Sequence, residues 1–233
     1  MTNMKELVAE KFPNDILIYQ QKNGYKFTKD AIDLAKFCKI KSCDHVLELC
    51  AGCGVISFYA YSLKKFEKLY LNEIQEDNCK IIEENIKING LTNAVCLNSD
   101  LNNLEYSQFE RKVDVIICNP PYFKLECNNT KINDDYSIAI SRHEILVSLE
   151  QIIKKSASLI KERGKLYLVH LTKRLQEILT LFSKYNFECK VIKFIENKNQ
   201  SNLALFEAVY KANAGVKIQI EGDKNGRDNT RDI

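Results

Sequence analysis

Short runs of β-branched and aromatic residues alternate along this chain with longer stretches in which apolar positions recur every three or four residues. HVLELC (45–50), KLYLNE (68–73), AVCLNSD (94–100), VDVIICN (113–119) and GKLYLVH (164–170) read as strands. Between them VISFYAYSLKKF (55–66), IQEDNCKIIEENIKING (74–90) and HEILVSLEQIIKKSASLIKERG (143–164) read as helices, with Gly90 and Gly164 where helix ends want a left-handed residue. Strand alternating with helix predicts parallel βαβ units. Further on, a helix KRLQEILTLFSKYN (173–186) precedes ECKVIKFIE (188–196) and NLALFEAVYK (202–211), two strands whose short polar connection predicts antiparallel pairing. The expected fold is therefore α/β: a mostly parallel seven-stranded sheet with an antiparallel last strand and helices on both faces.

The same pattern divides the chain into a lysine-rich segment (1–42), a main domain (43–212) and a polar tail (213–233). One stretch inside the domain, KLECNNTKINDDYSIAIS (124–141), is long, polar and without period, which marks either a functional lid or a disordered loop.

Composition narrows the class. With 233 residues, 45% hydrophobic and 28% charged, the chain can bury one substantial core. The net charge of +3 is mild, but residues 1–42 hold eight lysines against five acids, an excess equal to that of the whole chain. That segment is either a phosphate-contacting surface or a solvated face. Nine cysteines in largely apolar surroundings, with no secretory leader ahead of them, fit reduced thiols and a cytoplasmic protein. Cys50 and Cys53 have CxxC spacing, but Cys38 and Cys43 and the scattered His45, His143 and His170 complete no ligand set, so no metal is expected. No apolar run approaches the ~18 residues of a membrane span. Oligomeric state is left open.

The chemistry-bearing positions fall at strand ends. After the first strand of the domain, CAGCG supplies Gly52 and Gly54, which let a ligand approach the backbone closely. Glu73 closes the second strand and is placed to accept both hydrogens of a ribose diol, while Asp100 closes the third, within reach of an adenine amine. Glu48 precedes the glycine loop, where a phosphate binder would avoid negative charge. A cationic, phosphate-free cofactor such as S-adenosylmethionine suits it better than a dinucleotide.

Asn-Pro-Pro-Tyr (119–122) follows the fourth strand, a sequence that arises by chance in roughly one chain in a thousand of this length. Prolines stiffen the turn and leave carbonyls facing the cleft. The Asn119 side-chain oxygen and the Pro120 carbonyl can each accept one hydrogen from a planar NH2 group, localising its lone pair and stabilising charge that grows on nitrogen. Tyr122 is placed to stack on the planar group.

These features resemble the amino-group-specific class of Rossmann-like (class I) methyltransferases, whose substrate motif is NPPY and whose targets are adenine N6, guanine N2 or a glutamine amide. More finely, NDILIYQQKNGYKFTKDAIDLAKF (14–37), ELCAGCGVIS, CNPPYF, SRHE (141–144) and GKLYLVH resemble successive blocks of the bacterial tRNA(Val) adenine-37 N6-methyltransferase family, across about residues 14 to 210. That resemblance implies a catalytic domain over 43–212 and an N-terminal segment on or capping the cofactor pocket. It implies S-adenosylmethionine held by Glu48, Cys50, Ala51, Gly52, Cys53, Gly54, Glu73, Asp100, Leu101 and Asn119, with Phe27, Thr28 and Lys29 near the methionine end. It places Asn119, Pro120, Pro121, Tyr122 and Phe123 on the target base, and Arg142 and His143 on RNA or else at a helix N-terminus. The implied partner is a tRNA anticodon loop, where an unpaired base turns outward at small cost. Release factors remain the alternative substrate, and a non-catalytic RNA-binding role the alternative function. His170 reads as a pocket or core histidine rather than a base.

Overall fold

Strands at the middle of a sheet covered by helices on both sides must be apolar on both faces. β3 (His45–Leu49) and β6 (Val113–Cys118) are buried at every position and apolar apart from His45, Glu48 and Asp114. In the computed structural model, which describes residues 7–22, 27–122, 146–195 and 202–220, they lie parallel, Val46 opposite Val115 and Leu49 opposite Cys118. β4 (Lys68–Glu73) and β5 (Ala94–Asn98) continue the sheet from β3, and β7 (Ile160–Leu171) continues it from β6, all parallel. β9 (Leu203–Tyr210) then pairs antiparallel with both β7 and β8 (Phe187–Ile195).

The main sheet has eight strands, in the order β10-β8-β9-β7-β6-β3-β4-β5. The expected seven are all there. The eighth, β10 (Lys217–Ile220), lies in the stretch read as a polar tail and runs parallel to β8 at the edge. Four residues with Ile218 and Ile220 more than half exposed carry too little apolar signal to stand out from polar flanks.

Helices cover both faces. On one side α1 (Lys29–Phe37), α2 (Val55–Leu63) and α3 (Glu76–Ile88) bury Leu34, Phe58 and Ile82 against Val46, Leu71 and Ile117. On the other, α4 (Leu149–Leu159) and α5 (Leu175–Lys184) bury Ile152, Ile153 and Phe182 against Leu47, Ile116 and Leu168. Leu47 and Val46 thus point oppositely, the two-residue period of a strand.

Two helix ends differ in how they close. α3 ends as expected, with Gly90 left-handed (φ 61°) and the Leu91 N–H returning to the Ile86 carbonyl at 3.0 Å. α4 starts at a capping box, Gln151 N–H to Ser148 Oγ with the Gln151 side chain accepting the Ser148 N–H, and stops five residues short of Gly164. Arg163 takes the left-handed conformation (φ 62°), and Gly164 lies inside β7. There a Cβ would sit 2.6 Å from Ile160 Cγ1, so the glycine serves close packing rather than helix termination.

The N-terminal segment is more structured than a lysine-rich arm. β1 (Leu7–Lys11) and β2 (Leu17–Gln21) form an antiparallel hairpin separate from the main sheet, followed after 23–26 by α1. β2 packs along α3, where Asn89 accepts the Leu17 N–H at 2.9 Å and donates to the Leu17 carbonyl at 2.6 Å. Asparagine side chains on the helix thus satisfy the backbone of an edge strand. Among the described residues no helix is long and apolar enough to cross a membrane.

Candidate active site

Strand order reverses between β3 and β6, and at such a switch point the connections leave in opposite directions and open a crevice beyond the strand ends. A cleft of about 1180 Å³, counting its open mouth, occupies that position. Its walls include Phe27, Glu48, Cys50, Ala51, Gly52 and Cys53, with Glu73, Asp100, Leu101, Asn119 and Pro121 completing the ring of strand ends.

The loop after β3 owes its shape to Cys50 (φ 55°), Gly52 (φ 57°) and Gly54 (φ 80°), all left-handed. Its backbone is tied to the end of β4: the Ala51 N–H donates to the Asn72 carbonyl at 3.0 Å and the Gly52 N–H to Glu73 Oε2 at 2.8 Å. Glu73 Oε1 accepts the Gln75 N–H at 2.9 Å, so backbone donors fix the carboxylate at the cleft wall while burial raises its pKa. A Cβ at Gly52 would meet nothing within 4 Å, which leaves the cleft side of the loop open to a ligand. Gly54 corrects the expected loop contact. A Cβ there would lie 2.7 Å from Leu71 Cδ2 and Phe58 Cε2, so this glycine is needed beneath the start of α2 and does not line the cleft.

Two further carboxyl groups converge. Asp100 caps a 3-10 turn, Oδ1 accepting the Asn102 N–H at 2.8 Å, and its other oxygen has no partner among the described residues. Glu48 is 1% exposed, accepts the Ser57 N–H at 3.0 Å through Oε2, and is pushed by burial from 4.5 up to about 8. No lysine or arginine is among the described lining residues. Three carboxyl groups, an open glycine and no basic partner suit a cationic ligand without phosphate, the character of S-adenosylmethionine, and oppose a dinucleotide.

At the end of β6 the prolines are buried and Asn119 and Pro121 line the cleft, while Pro120 and Tyr122 do not. Tyr122 is half-buried, its ring 5.5 Å from that of His170 and its Oη 2.6 Å from Asn119 Oδ1. His170 is a core histidine whose Nδ1 accepts the Leu171 N–H at 2.8 Å. Phe123, Arg142, His143 and the loop 124–141 lie outside the described residues.

At the N-terminal wall Phe27 lines the cleft as expected, but Lys29 does not: its side chain is 70% exposed and 3.5 Å from Asp33. Neighbours on a helix are turned about 100° apart, and the buried direction belongs to Asp30 and Ala31. Thr28 is the residue before the helix and its hydroxyl bonds Asp30 Oδ1. Sequence reading missed Asp30, whose Oδ2 is 2.5 Å from Tyr122 Oη, and the lining residues Gln20, Asn72, Asn78 and Ser99. Asn72 had a signal, an amide inside an otherwise apolar strand; Gln20 had none beyond QQ in the lysine-rich segment. The CxxC pair belongs to the loop: desolvation pushes the Cys53 thiol up to about 12, out of the thiolate range. Among the described residues no group of three or more His, Cys, Asp or Glu is arranged to hold a metal.

Known proteins resemble this chain in sequence and in fold. Residues 27–195 match the family model of the methyltransferase small domain. A release factor glutamine methyltransferase of Buchnera aphidicola is 29% identical over 154 residues, covering 62% of this chain and 52% of its own length. A tRNA1(Val) (adenine(37)-N6)-methyltransferase of Parabacteroides distasonis is 28% identical over 156 residues, covering 65% of this chain and 62% of its own length. The chain therefore spans little more than half the length of these relatives. Among solved structures, the M. jannaschii tRNA m1G37 methyltransferase superposes with a TM-score of 0.61 at 16% identity, over 89% of this chain and 55% of that one. A ribosomal protein L11 methylase of Lactobacillus delbrueckii superposes at 0.55 and 15% identity, over 78% and 77%. The fold is thus that of Rossmann-like class I methyltransferases, and by its sequence the chain belongs to the methyltransferase small domain family.

Proposed function

We propose that the chain is an S-adenosylmethionine-dependent methyltransferase that modifies the exocyclic N6 of adenine in tRNA, with adenine 37 of tRNA(Val), in the anticodon loop, as its target. The observation that carries this reading is Asn119 at the end of the central strand β6, lining a cleft with three carboxyl groups and no basic residue among those described. The Glu73 carboxylate is suited to a ribose diol, Asp100 to an adenine amine, and Glu48 to the cationic methionine end. S-adenosylmethionine supplies an electrophilic methyl group on a sulfonium. Asn119 supplies an acceptor for a hydrogen of a flat amine, which helps free its lone pair and disperses charge arising on nitrogen; Pro120, whose carbonyl is expected as the second acceptor, is buried and does not line the cleft. No strong base is required, because the methylated ammonium loses its proton readily.

RNA as substrate is supported by the outer surface. The six described lysines of the N-terminal segment, Lys11, Lys22, Lys29, Lys36, Lys39 and Lys41, are all exposed and suited to phosphate contact. The glutamine amide of a release factor is a second reading, favoured by the 29% identical relative of that name. Incubation with methyl-labelled cofactor, a tRNA(Val) transcript and a release factor, then digestion, separates them. Label in N6-methyladenosine is the expected result. Label in methylglutamine replaces the substrate, and RNA binding with no transfer to either removes the catalytic reading.

A further inference from the structure

We infer that Asp30 is a positioning residue of this site, acting through Tyr122 to decide which end of the Asn119 carboxamide faces the cleft. Its purpose rests on the methyl-transfer reading above; the hydrogen-bond chain rests on geometry alone.

Asp30 lies in the first turn of α1, 92 residues before Tyr122, and is 6% exposed. Its Oδ1 takes the Thr28 hydroxyl and its Oδ2 is 2.5 Å from Tyr122 Oη. The same phenol oxygen is 2.6 Å from Asn119 Oδ1. A phenol carries one hydrogen, so it cannot donate to both acceptors. The carboxylate is the stronger acceptor, and 2.5 Å is the short distance of a charge-assisted O–H···O⁻ bond. With its hydrogen held by Asp30, Tyr122 turns lone pairs toward Asn119, and two bare oxygens at that separation repel.

The carboxamide resolves the conflict by the half-turn that exchanges Oδ1 and Nδ2, ends alike in shape and opposite in polarity. Nδ2–H then donates to Tyr122 Oη. The end directed away from Tyr122 has no partner among the described residues, and Asn119 lines the cleft. After the half-turn that end is the oxygen, an acceptor for a substrate NH2 group; an amide nitrogen in its place would oppose the same group. Asp30 therefore sets the polarity of the substrate-facing atom without touching the substrate. A carboxylate that only favours the N-terminus of α1 would leave the amide indifferent.

The test uses the full chain labelled with 15N-asparagine, the Asn119 side-chain signal being assigned by its loss in Asn119→Asp. In the wild type one Nδ2 proton should exchange slowly with solvent, and about tenfold faster in Tyr122→Phe and Asp30→Ala, the equivalent of one hydrogen bond. Asp30→Asn, nearly the same shape, guards against a folding defect and should also speed exchange. Turnover should fall about 100-fold in Asp30→Ala with cofactor affinity within about twofold, and the double variant Asp30→Ala/Tyr122→Phe should be no worse than Tyr122→Phe. Unchanged exchange in Asp30→Asn and Tyr122→Phe overturns the inference, as does full additivity of the two losses. A wild-type protein that methylates neither tRNA nor protein would remove the proposed function, and the exchange rates would still decide this inference.

Discussion

Asn85 Nδ2, on α3, donates to the Cys53 carbonyl at 3.1 Å and so holds the glycine loop from beneath. The same amide donates to the Tyr19 carbonyl at 3.1 Å and accepts the Tyr19 N–H at 2.6 Å. Asn89, one turn on, repeats the pairing with Leu17. Four helical residues rise about 6 Å and two strand residues about 6.8 Å, so two asparagines can read alternate residues of β2 as a neighbouring strand would. The hairpin, the helix and the glycine loop are thereby one unit.

Replacing Asn85 by alanine should therefore cost more than replacing Asn89. Each side chain serves three backbone groups, but Asn85 is fully buried and Asn89 half-buried, so water replaces the bonds lost at Asn89 more readily: about 3 kcal/mol at Asn85 against about 1 kcal/mol at Asn89. Urea unfolding of both variants measures the difference, and equal losses would show that the deeper burial of Asn85 makes no difference.

The two glycines of the loop should fail in different ways. Alanine at Gly52 meets open space but a left-handed backbone, a strain of about 1 kcal/mol, and its methyl projects where a ligand would lie. Alanine at Gly54 collides with Leu71 and Phe58 as well, and should cost about 3 kcal/mol or more. The expected result is weak S-adenosylmethionine binding with near-normal melting for Gly52→Ala, and the opposite ranking of damage for Gly54→Ala.

Much of this site could be read from the sequence because parallel topology gathers strand ends. Glu73 and Asn119 needed only the ends of KLYLNE and VDVIIC, and both runs are legible because strands covered on two faces are mostly apolar, with Asn72 and Asp114 the polar exceptions inside them. Asp30 was hidden because a contact across 92 residues has no local signature. The block GYKFTKDA points to Phe27, Thr28 and Lys29, because the sequence alone does not show which helical side chain turns inward. The hairpin escaped for a related reason: β2 satisfies its edge through Asn85 and Asn89, which in sequence look like ordinary polar positions on a helix.

Asn119→Ala and Glu73→Ala should separate chemistry from binding. Loss of the Asn119 acceptor should lower turnover about 100-fold or more while leaving the cofactor dissociation constant nearly unchanged. Glu73→Ala also releases the Gly52 and Gln75 N–H groups, so it should weaken the cofactor first. Calorimetric titration beside single-turnover rates gives both numbers; wild-type-like turnover in Asn119→Ala would remove the proposed role of NPPY.

Glu48 predicts a pH dependence of opposite sign for stability and for binding. Burial lifts its carboxyl from 4.5 to about 8, above its value in the unfolded chain. Between those values the folded state keeps a proton that the unfolded state has released, so this group's contribution is complete below pH 4.5 and declines as pH rises to 8, by up to ~1.4 kcal/mol per unit. Burial raises Glu73 as well, so the Glu48 share is the difference between wild type and Glu48→Gln, in which this slope should vanish. A cationic ligand needs the ionised form. Cofactor affinity should then rise by up to about tenfold per unit toward pH 8 and level off above it, with about one proton released on binding near pH 7. Glu48→Gln should bind weakly at every pH. Calorimetry in buffers of different ionisation enthalpy counts the proton, and a wild-type affinity that is flat from about pH 6 to 9 would mean that Glu48 does not face the cationic end.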